Sequence, residues 1–250
     1  MTKTTPKCTT CHAKNLSLFR SCSAEVLEDI SEKKTIQLVQ KGEHLLIEGE
    51  EAKGIYCIRS GVAKSEIHYS NGEGRSLILR LEGKGSIVGH RVSNKKDKQP
   101  LTITAVENMQ VCHVSADKFR SIYGKCQGLR NEVMKSLLQE MQNVERRALT
   151  LVNKSVKERV AGMLIHIAEI YNYHQGGCSI HVHLDRQDMA DLAGTTKEQV
   201  SQILTALRKD KLINFKAKHF KYFDLEGLNK ISESMGKPYD RSFEISSNAR

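Results

Sequence analysis

The sequence predicts an α+β protein with an N-terminal, jelly-roll-like β-roll, a long dimerisation helix and a C-terminal winged helix-turn-helix. Three observations lead to this fold class. Short β-type runs separated by glycine-containing turns occupy residues 35–115. Apolar residues then recur at helical spacing between residues 116 and 153, and two short amphipathic segments meet at Gly194. Short strands with glycine corners are typical of β-barrels and jelly rolls, and two short helices joined by a tight turn are typical of a helix-turn-helix.

These changes of pattern predict the domain boundaries. We expect five segments: a Cys-containing N-terminal arm (1–22), a jelly-roll-like β-roll domain (23–115), a dimerisation helix region (116–153), a winged helix-turn-helix domain (154–235) and a polar tail (236–250). The β-roll opens with a short helix over residues 23–31, which Ser23 can cap. Its clearest turn is Asn71-Gly72, because a type I′ hairpin needs positive φ at both central residues.

The composition narrows the function. The 250 residues carry a net charge of +10, which suits a polyanion such as nucleic acid but also fits a basic enzyme. No apolar run is long enough to span a bilayer, and residues 1–14 are polar and lack the apolar region of a signal peptide. We therefore expect a cytoplasmic protein without a membrane partner. We find no glycine-rich phosphate loop, paired-carboxylate motif or Ser/His/Asp signature, so we expect no catalytic activity.

The long helical segment contains a heptad seam. Its apolar residues fall seven apart in two sets: Met134, Met141 and Ala148, and Leu137, Val144 and Leu151. Such a seam favours pairing with another helix, here from a second copy of the chain. The alternative is that the seam packs against its own β-domain.

The C-terminal part begins with a capping box, Ser155 to Glu158, at the start of a helix. Residues 186–205 then form the helix-turn-helix pattern, with Asp185 capping the first helix and Thr195 or Thr196 capping the second. A basic hairpin over residues 213–223 is expected to form the wing. Together with the positive charge, this pattern predicts binding to double-stranded DNA.

The second helix should enter the major groove with its N-terminal residues at the base edges. There Glu198 can accept from cytosine and Gln202 can pair with adenine. The candidate DNA-binding residues on this helix and the wing are Thr196, Lys197, Glu198, Ser201, Gln202, Arg208, Lys209, Lys216 and Lys218.

The chain resembles the Crp/Fnr family of bacterial transcription regulators over nearly its whole length. The resemblance rests on residues 39–43 (VQKGE), 55–64 (IYCIRSGVAK), 85–89 (GSIVG) and the 188–207 unit. It implies a homodimer on a palindromic operator, an effector or redox signal sensed by the N-terminal domain, and RNA polymerase as a partner.

Two positions separate the chain from the cyclic-nucleotide-binding members that it resembles. Their ribose-binding glutamate is replaced by His90, and the loop that carries their phosphate-binding arginine, residues 95–101, has none. A semi-buried phosphate needs such a partner, so the sequence disfavours cAMP. Three lysines could substitute: Lys95, Lys96 and Lys98.

The family's oxygen-sensing branch holds an iron–sulfur cluster on three N-terminal cysteines and a central one. By that resemblance the candidate ligands here are Cys8, Cys11, Cys22 and Cys112, in an oxygen or nitric-oxide sensor. Cys22 lies ten residues beyond Cys11, whereas the branch pattern places this cysteine near Leu16. The alternative is that the thiols bind nothing. We expect Cys57 and Cys126 to be structural, and the histidines near Cys178 to be solvent-facing rather than zinc ligands.

The recognition helix also departs from the family. The usual Glu-x-x-Ser-Arg ends in Gln202 here, which removes a bidentate guanine contact worth roughly 1–3 kcal/mol of discrimination. The preferred half-site should therefore differ at that base pair.

Overall fold

The computed structural model describes residues 7–69, 75–91, 98–173, 179–222 and 224–233. The predicted fold class is confirmed: two β-sheets, a long helix and a helix-turn-helix with a wing follow each other along the chain. The Asn71-Gly72 turn, Cys178, His174 and the polar tail lie outside the described residues. Among those described, no helix has both the length and the apolar character needed to cross a membrane.

The N-terminal arm consists of three short 3-10 helices, Cys8–Thr10, His12–Leu16 and Leu18–Ser21. Helix α1, Ala24–Lys33, follows, and the hydroxyl of Ser23 accepts from the amide of Val26 as predicted. This cap satisfies one of the backbone donors that the first turn of a helix leaves unpaired.

In the described part of the chain, eight strands form the β-roll. They are β1 (Thr35–Val39), β2 (His44–Leu46), β3 (Gly54–Ser60), β4 (Ala63–Tyr69), β5 (Arg75–Glu82), β6 (Ile87–Val88), β7 (Thr102–Ala105) and β8 (Met109–Ser115). They make two four-stranded sheets, ordered β1-β8-β3-β6 and β2-β7-β4-β5. One apolar core fills the space between the sheets, and a second lies under the N-terminal arm on the outer face of the first sheet.

The sequence pattern suggested one continuous helix between the two halves, but the structure has two helices there. Helix α2 (Ala116–Lys125) ends at Cys126, and helix α3 (Gln127–Asn153) begins directly after it. Cys126 has extended backbone angles and its sulfur accepts from the amide of Leu129, so it caps α3. The 27 residues of α3 form the long helix.

The C-terminal part is helical with a small sheet. Its elements are α4 (Val156–Ile170), β9 (Ile180–His181), α5 (Arg186–Ala193), α6 (Lys197–Lys209), β10 (Ile213–Lys216), β11 (His219–Tyr222) and α7 (Leu225–Ser232). The capping box of Ser155 and Glu158 is present. The strand pattern before α5 is shorter than predicted, and α7, which the sequence did not indicate, packs on α4. Its start is capped by Asp224.

The two halves share apolar contacts. Val62, Leu81 and Val106 of the β-roll belong to the same buried cluster as the core of the winged domain. Lys64 adds an ion pair, with its ammonium 2.9 Å from an Asp188 carboxylate oxygen in α5. The helix-turn-helix is therefore packed directly against the β-roll.

Candidate nucleic-acid interface and thiol cavity

The turn between α5 and α6 is built as the sequence predicts. Asp185 accepts from the amide of Asp188, and the Asp188 side chain accepts from the Asp185 amide in return. Gly194 has φ 63° and ψ 48°, a left-handed conformation that glycine adopts at little cost. A side chain there would also collide with Leu151 of α3. The guanidinium of Arg159 donates to the carbonyl oxygen of Gly194 at 3.1 Å, which holds the turn in place.

Helix α6 buries one face and exposes the other. Val200, Leu204 and Leu207 have no exposed surface. The predicted base-reading residues lie on the opposite side and are all exposed: Lys197, Glu198, Ser201 and Gln202. Arg208 and Lys209, in the last turn, are exposed as well.

Two of the predicted contact residues make local hydrogen bonds. The hydroxyl of Thr196 accepts from the Gln199 amide at 3.3 Å and so caps α6. The hydroxyl of Ser201 donates to the carbonyl oxygen of Lys197 at 2.8 Å. Both side chains stand at the exposed N-terminal end of the helix, where a helix dipole favours negative charge.

The wing is a three-stranded sheet, β10-β11-β9, rather than the predicted two-stranded hairpin. Arg186 lies over the rings of both Phe215 and Phe220, at 5.2 and 5.8 Å, which joins the wing to α5. Lys216 is exposed. Lys218 is half-buried and donates to the carbonyl oxygen of His183 at 3.3 Å, so it points toward the β-roll side in this conformation.

Three histidines line the other face of the wing. The ring of His181 stacks on His219 at 4.5 Å and lies 4.2 Å from His183. His183 Nε2 is 3.4 Å from a carboxylate oxygen of Glu107 in the β-roll. Burial, the neighbouring His181 and two lysines lower the pKa of His183. As it stands, no group of three or more His, Cys, Asp or Glu side chains in the described ranges is placed to hold a metal ion.

The long helix α3 presents an apolar stripe to solvent. Met134, Met141, Val144 and Leu151 are each between 44 % and 56 % exposed, and Ala148 is exposed as well. Leu137 is partly buried against the core under the N-terminal arm. Leu138, which the heptad count left out, is exposed beside Met134 and Met141.

A charged cluster joins α3 to the β-roll pocket. Glu140 of α3 lies among three cationic or titratable groups: Arg91 donates to it at 2.6 Å, Arg80 lies at 3.4 Å and His90 Nε2 at 3.2 Å. Burial alone would raise the pKa of Glu140, but His90, Arg80 and Arg91 outweigh it and lower the pKa to about 2. The sequence reasoning missed Glu140 and both arginines, although Arg91 directly follows His90.

The space beside this cluster is small. The cavity lined by Arg80, His90 and Arg91 has a volume of about 20 Å³, which is enough for about one water molecule. His90 is buried where cyclic-nucleotide binders of the family carry a glutamate. Lys98 is exposed, and Lys95 and Lys96 lie outside the described residues.

A second small cavity, of about 30 Å³, lies between the N-terminal arm and the outer face of the β1-β8-β3-β6 sheet. Cys8, Cys11, Cys57 and Cys112 all line it. Cys57 and Cys112 are directly opposite each other in the antiparallel pair β3-β8. Burial raises the pKa of the Cys57 thiol to about 12, and the other three cysteines add to this rise.

Cys22 lies elsewhere. Its sulfur is 3.8 Å from that of Cys126, at the junction of the arm with α3. Burial, with a further contribution from Cys126, raises the pKa of Cys22 to about 12. Four of the seven cysteines therefore line the cavity, and Cys22 and Cys126 form a separate pair. Cys178 lies outside the described residues.

The fold and the site define a class of protein: a DNA-binding regulator with a β-roll and a winged helix-turn-helix. Residues 36–126 match the cyclic nucleotide-binding domain model and residues 158–231 match the Crp-like helix-turn-helix domain model. The chain belongs to the Crp/Fnr family of bacterial transcription regulators. Its relatives are regulators rather than enzymes.

Curated relatives cover nearly the whole chain. The chain is 27 % identical to the fumarate and nitrate reduction regulatory protein of Yersinia pestis, over 92 % of each chain. It is 26 % identical to electron transport regulator A of Shewanella oneidensis, over 82 % of this chain and 81 % of that one.

Solved structures share the fold. The structure of FixK2 from Bradyrhizobium japonicum superposes with a TM-score of 0.69 at 21 % identity, covering 82 % of this chain and 98 % of that chain. A transcriptional regulator of the Crp/Fnr family from Thermus thermophilus gives a TM-score of 0.66 at 19 % identity, covering 81 % and 100 %.

Proposed function

We propose that two copies of the chain pair along α3 and bind a near-palindromic operator with their two α6 helices. The observation that supports this most directly is the exposed apolar stripe of α3, which runs toward the helix-turn-helix and ends where Leu151 touches Gly194. A solvent-exposed stripe of this length is favourable only when another apolar surface covers it. A two-fold dimer places two recognition helices about one helical turn of DNA apart, roughly 34–36 Å.

The proposed DNA contacts divide into two kinds. Glu198, Ser201 and Gln202 face the base edges and select the sequence, whereas Lys197, Arg208 and Lys209 reach phosphates. Lys216 at the wing contacts the backbone beside the groove. Thr196 contributes through its cap, because a well-formed N-terminus of α6 also binds phosphate. Lys218 reaches DNA only if the wing separates from the β-roll.

DNA selection from a random library tests this proposal. We expect the wild type to enrich a palindrome and Glu198→Ala to lose preference at one base pair per half-site. Lys216→Ala should weaken binding to all sequences alike and make the salt dependence shallower by about one phosphate contact. Lys84→Ala, which removes an exposed lysine of the β-roll outside the helix-turn-helix and the wing, is the matched control. Unchanged selection and affinity in both test variants would refute the assigned contacts.

We further propose that the segments predicted from the sequence act as units. In this division, residues 1–115 sense a signal, residues 116–153 transmit it and residues 154–235 bind DNA. The protein then recruits or blocks RNA polymerase at the bound operator. A ligand or redox change at the β-roll would shift α3 relative to the winged domain. The buried Glu140 cluster and the small cavity beside His90 support a signal other than cAMP.

A second candidate function is sensing of oxygen or nitric oxide through an iron–sulfur cluster. It is supported by two relatives, named for fumarate and nitrate reduction and for electron transport, and by the shared cavity of Cys8, Cys11 and Cys112. A bound cluster would supply the reactivity toward the gas. Anaerobic purification tests this candidate: absorbance near 400 nm with about four irons per chain supports it. A colourless protein that still selects a palindrome would contradict it and leave the regulator proposal intact.

A further inference from the structure

The four thiols of the N-terminal cavity come from three separate parts of the chain. Cys8 begins the first 3-10 turn and Cys11 links it to the second, Cys57 lies on β3 and Cys112 lies on β8. Residues directly opposite each other in an antiparallel pair project from the same face, with Cβ atoms about 4.5–5.5 Å apart. The β3-β8 register therefore turns Cys57 and Cys112 toward the arm together.

The charges around the cavity suit a group of thiolates. Lys14, Lys34 and Arg59 line the same space as the four cysteines. The ammonium of Lys34 lies 3.1 Å from the sulfur of Cys8, and the Lys34 side chain is mostly buried. Four thiolates around a divalent metal or an iron–sulfur cluster carry net negative charge, which buried cations stabilise.

Cys22 does not belong to this group. Its sulfur faces Cys126 rather than the cavity, and its side chain is buried in the apolar cluster between the arm and α3. Cys22 lies between the 3-10 turn Leu18–Ser21 and the cap of α1. Cys57 needs no such movement, because the sheet register already places it beside Cys112.

We propose that Cys8, Cys11, Cys57 and Cys112 form one tetrathiolate site for a thiophilic metal centre, with Cys57 in place of Cys22. This inference rests on the proposed sensing function and changes its ligand set. Four cysteines are the donor set of iron–sulfur clusters and of tetrahedral zinc. The cavity of about 30 Å³ holds less than a cluster. Loading therefore requires the segment that carries Cys8 and Cys11 to move outward. The first 3-10 turn of this segment, Cys8–Thr10, has no buried residue.

Metal content of matched variants tests the site. The full-length chain is reconstituted anaerobically with iron and sulfide or, separately, with zinc, and desalted before metal and sulfide are measured. We expect about four irons or one zinc per chain in the wild type and in Cys22→Ala. Cys57→Ala and Cys112→Ala should each lower the affinity for the metal by at least about 10- to 100-fold. This is the loss that substitution of residues around metal ligands already causes. The two reconstitutions distinguish a cluster from a single ion.

A second measurement needs no variant. Thiol alkylation of the metal-loaded wild type, read by mass spectrometry, should leave Cys8, Cys11, Cys57 and Cys112 protected, and a chelator should abolish this protection. Protection of Cys22 instead of Cys57, full metal content in Cys57→Ala, or a wild type that binds neither metal would overturn the proposal. DNA selection on the same samples keeps this outcome separate from failure of the regulator proposal, because operator binding is measured independently of metal.

Discussion

The guanidinium of Arg147, in the long helix α3, donates a hydrogen bond of 2.8 Å to the backbone carbonyl oxygen of Asp191 in α5. The same guanidinium donates to the carbonyl oxygens of Ile78 and Leu79 in β5, at 2.7 and 2.9 Å. One side chain therefore connects α3 to the β-roll and to the first helix of the helix-turn-helix. Movement of α3 relative to the β-roll would change the two bonds to β5, and movement relative to the helix-turn-helix would change the bond to Asp191.

Removing the Arg147 side chain should weaken the attachment of the winged domain to α3 and the β-roll. Arg147→Ala removes a side-chain donor from three carbonyl oxygens at a partly buried junction. The Asp191 carbonyl oxygen keeps the Gly194 amide as a donor, and a buried polar group that loses its partner costs about 1–3 kcal/mol. We expect the free energy of unfolding to fall by about that amount and the amides of α5 to exchange hydrogen faster. Arg146→Ala, which removes an exposed arginine one position earlier, is the control. Equal exchange rates in both variants would show that Arg147 does not couple the domains.

The proposed dimer makes a prediction about charge at the stripe. Met141→Glu would place a carboxylate in the middle of the paired helices, where burial of an unpaired charge is strongly unfavourable. We expect sedimentation analysis at micromolar concentration to show a dimer for the wild type and a monomer for this variant. Gln139→Glu introduces the same charge on the other side of α3, where residue 139 is also exposed, and should remain dimeric. A dimeric Met141→Glu would place the interface elsewhere.

The features that could be predicted from the sequence are local ones. The caps at Ser23, Ser155 and Asp185 join a side chain to an amide three residues away, so their signal lies within a few neighbouring letters. The left-handed turn at Gly194 is recognisable for the same reason. The position of the apolar stripe is less certain from sequence, because residues 137 and 138 are both leucine and either fits a heptad. Packing against the arm decides between them: it partly buries Leu137 and leaves Leu138 exposed.

The features that could not be predicted depend on distant contacts. The pairing of Cys57 with Cys112 follows from the register of strands more than fifty residues apart, and a shift of one residue would turn one of them to the opposite face. The sequence did not indicate the break at Cys126, because sulfur is a weak acceptor and cysteine is not a preferred cap. The heptad pattern predicted that Glu140 faces solvent, but the β-roll places Arg80 and Arg91 beside it.

The Glu140 cluster predicts a specific dependence on pH. Because the folded-state pKa of Glu140, about 2, lies below the ordinary value of 4.5, its ionised form stabilises the fold above pH 4.5. This contribution is lost as the pH falls through the folded-state pKa. We expect Glu140→Gln to be less stable than the wild type at neutral pH, and the difference in free energy of unfolding to shrink between pH 4.5 and pH 2. Glu145→Gln, at an exposed position of the same helix, should show no such convergence.

Substitutions of Cys126, whose sulfur caps α3, distinguish the effect of its hydrogen-bond acceptor from the effect of its side-chain volume. The Cys126 sulfur accepts from the Leu129 amide at 3.4 Å, so Cys126→Ala removes the cap, whereas Cys126→Ser keeps an acceptor at the same place. Loss of a cap costs about 0.5–2 kcal/mol, so thermal unfolding should begin at a lower temperature in the alanine variant than in the serine variant. Cys22→Ala, in which only the neighbouring thiol is removed, reports how much of the effect comes from the contact between the two sulfurs. If alanine and serine at position 126 unfold together, and Cys22→Ala unfolds with them, the contribution of Cys126 is packing against Cys22 and the break between α2 and α3 has another cause.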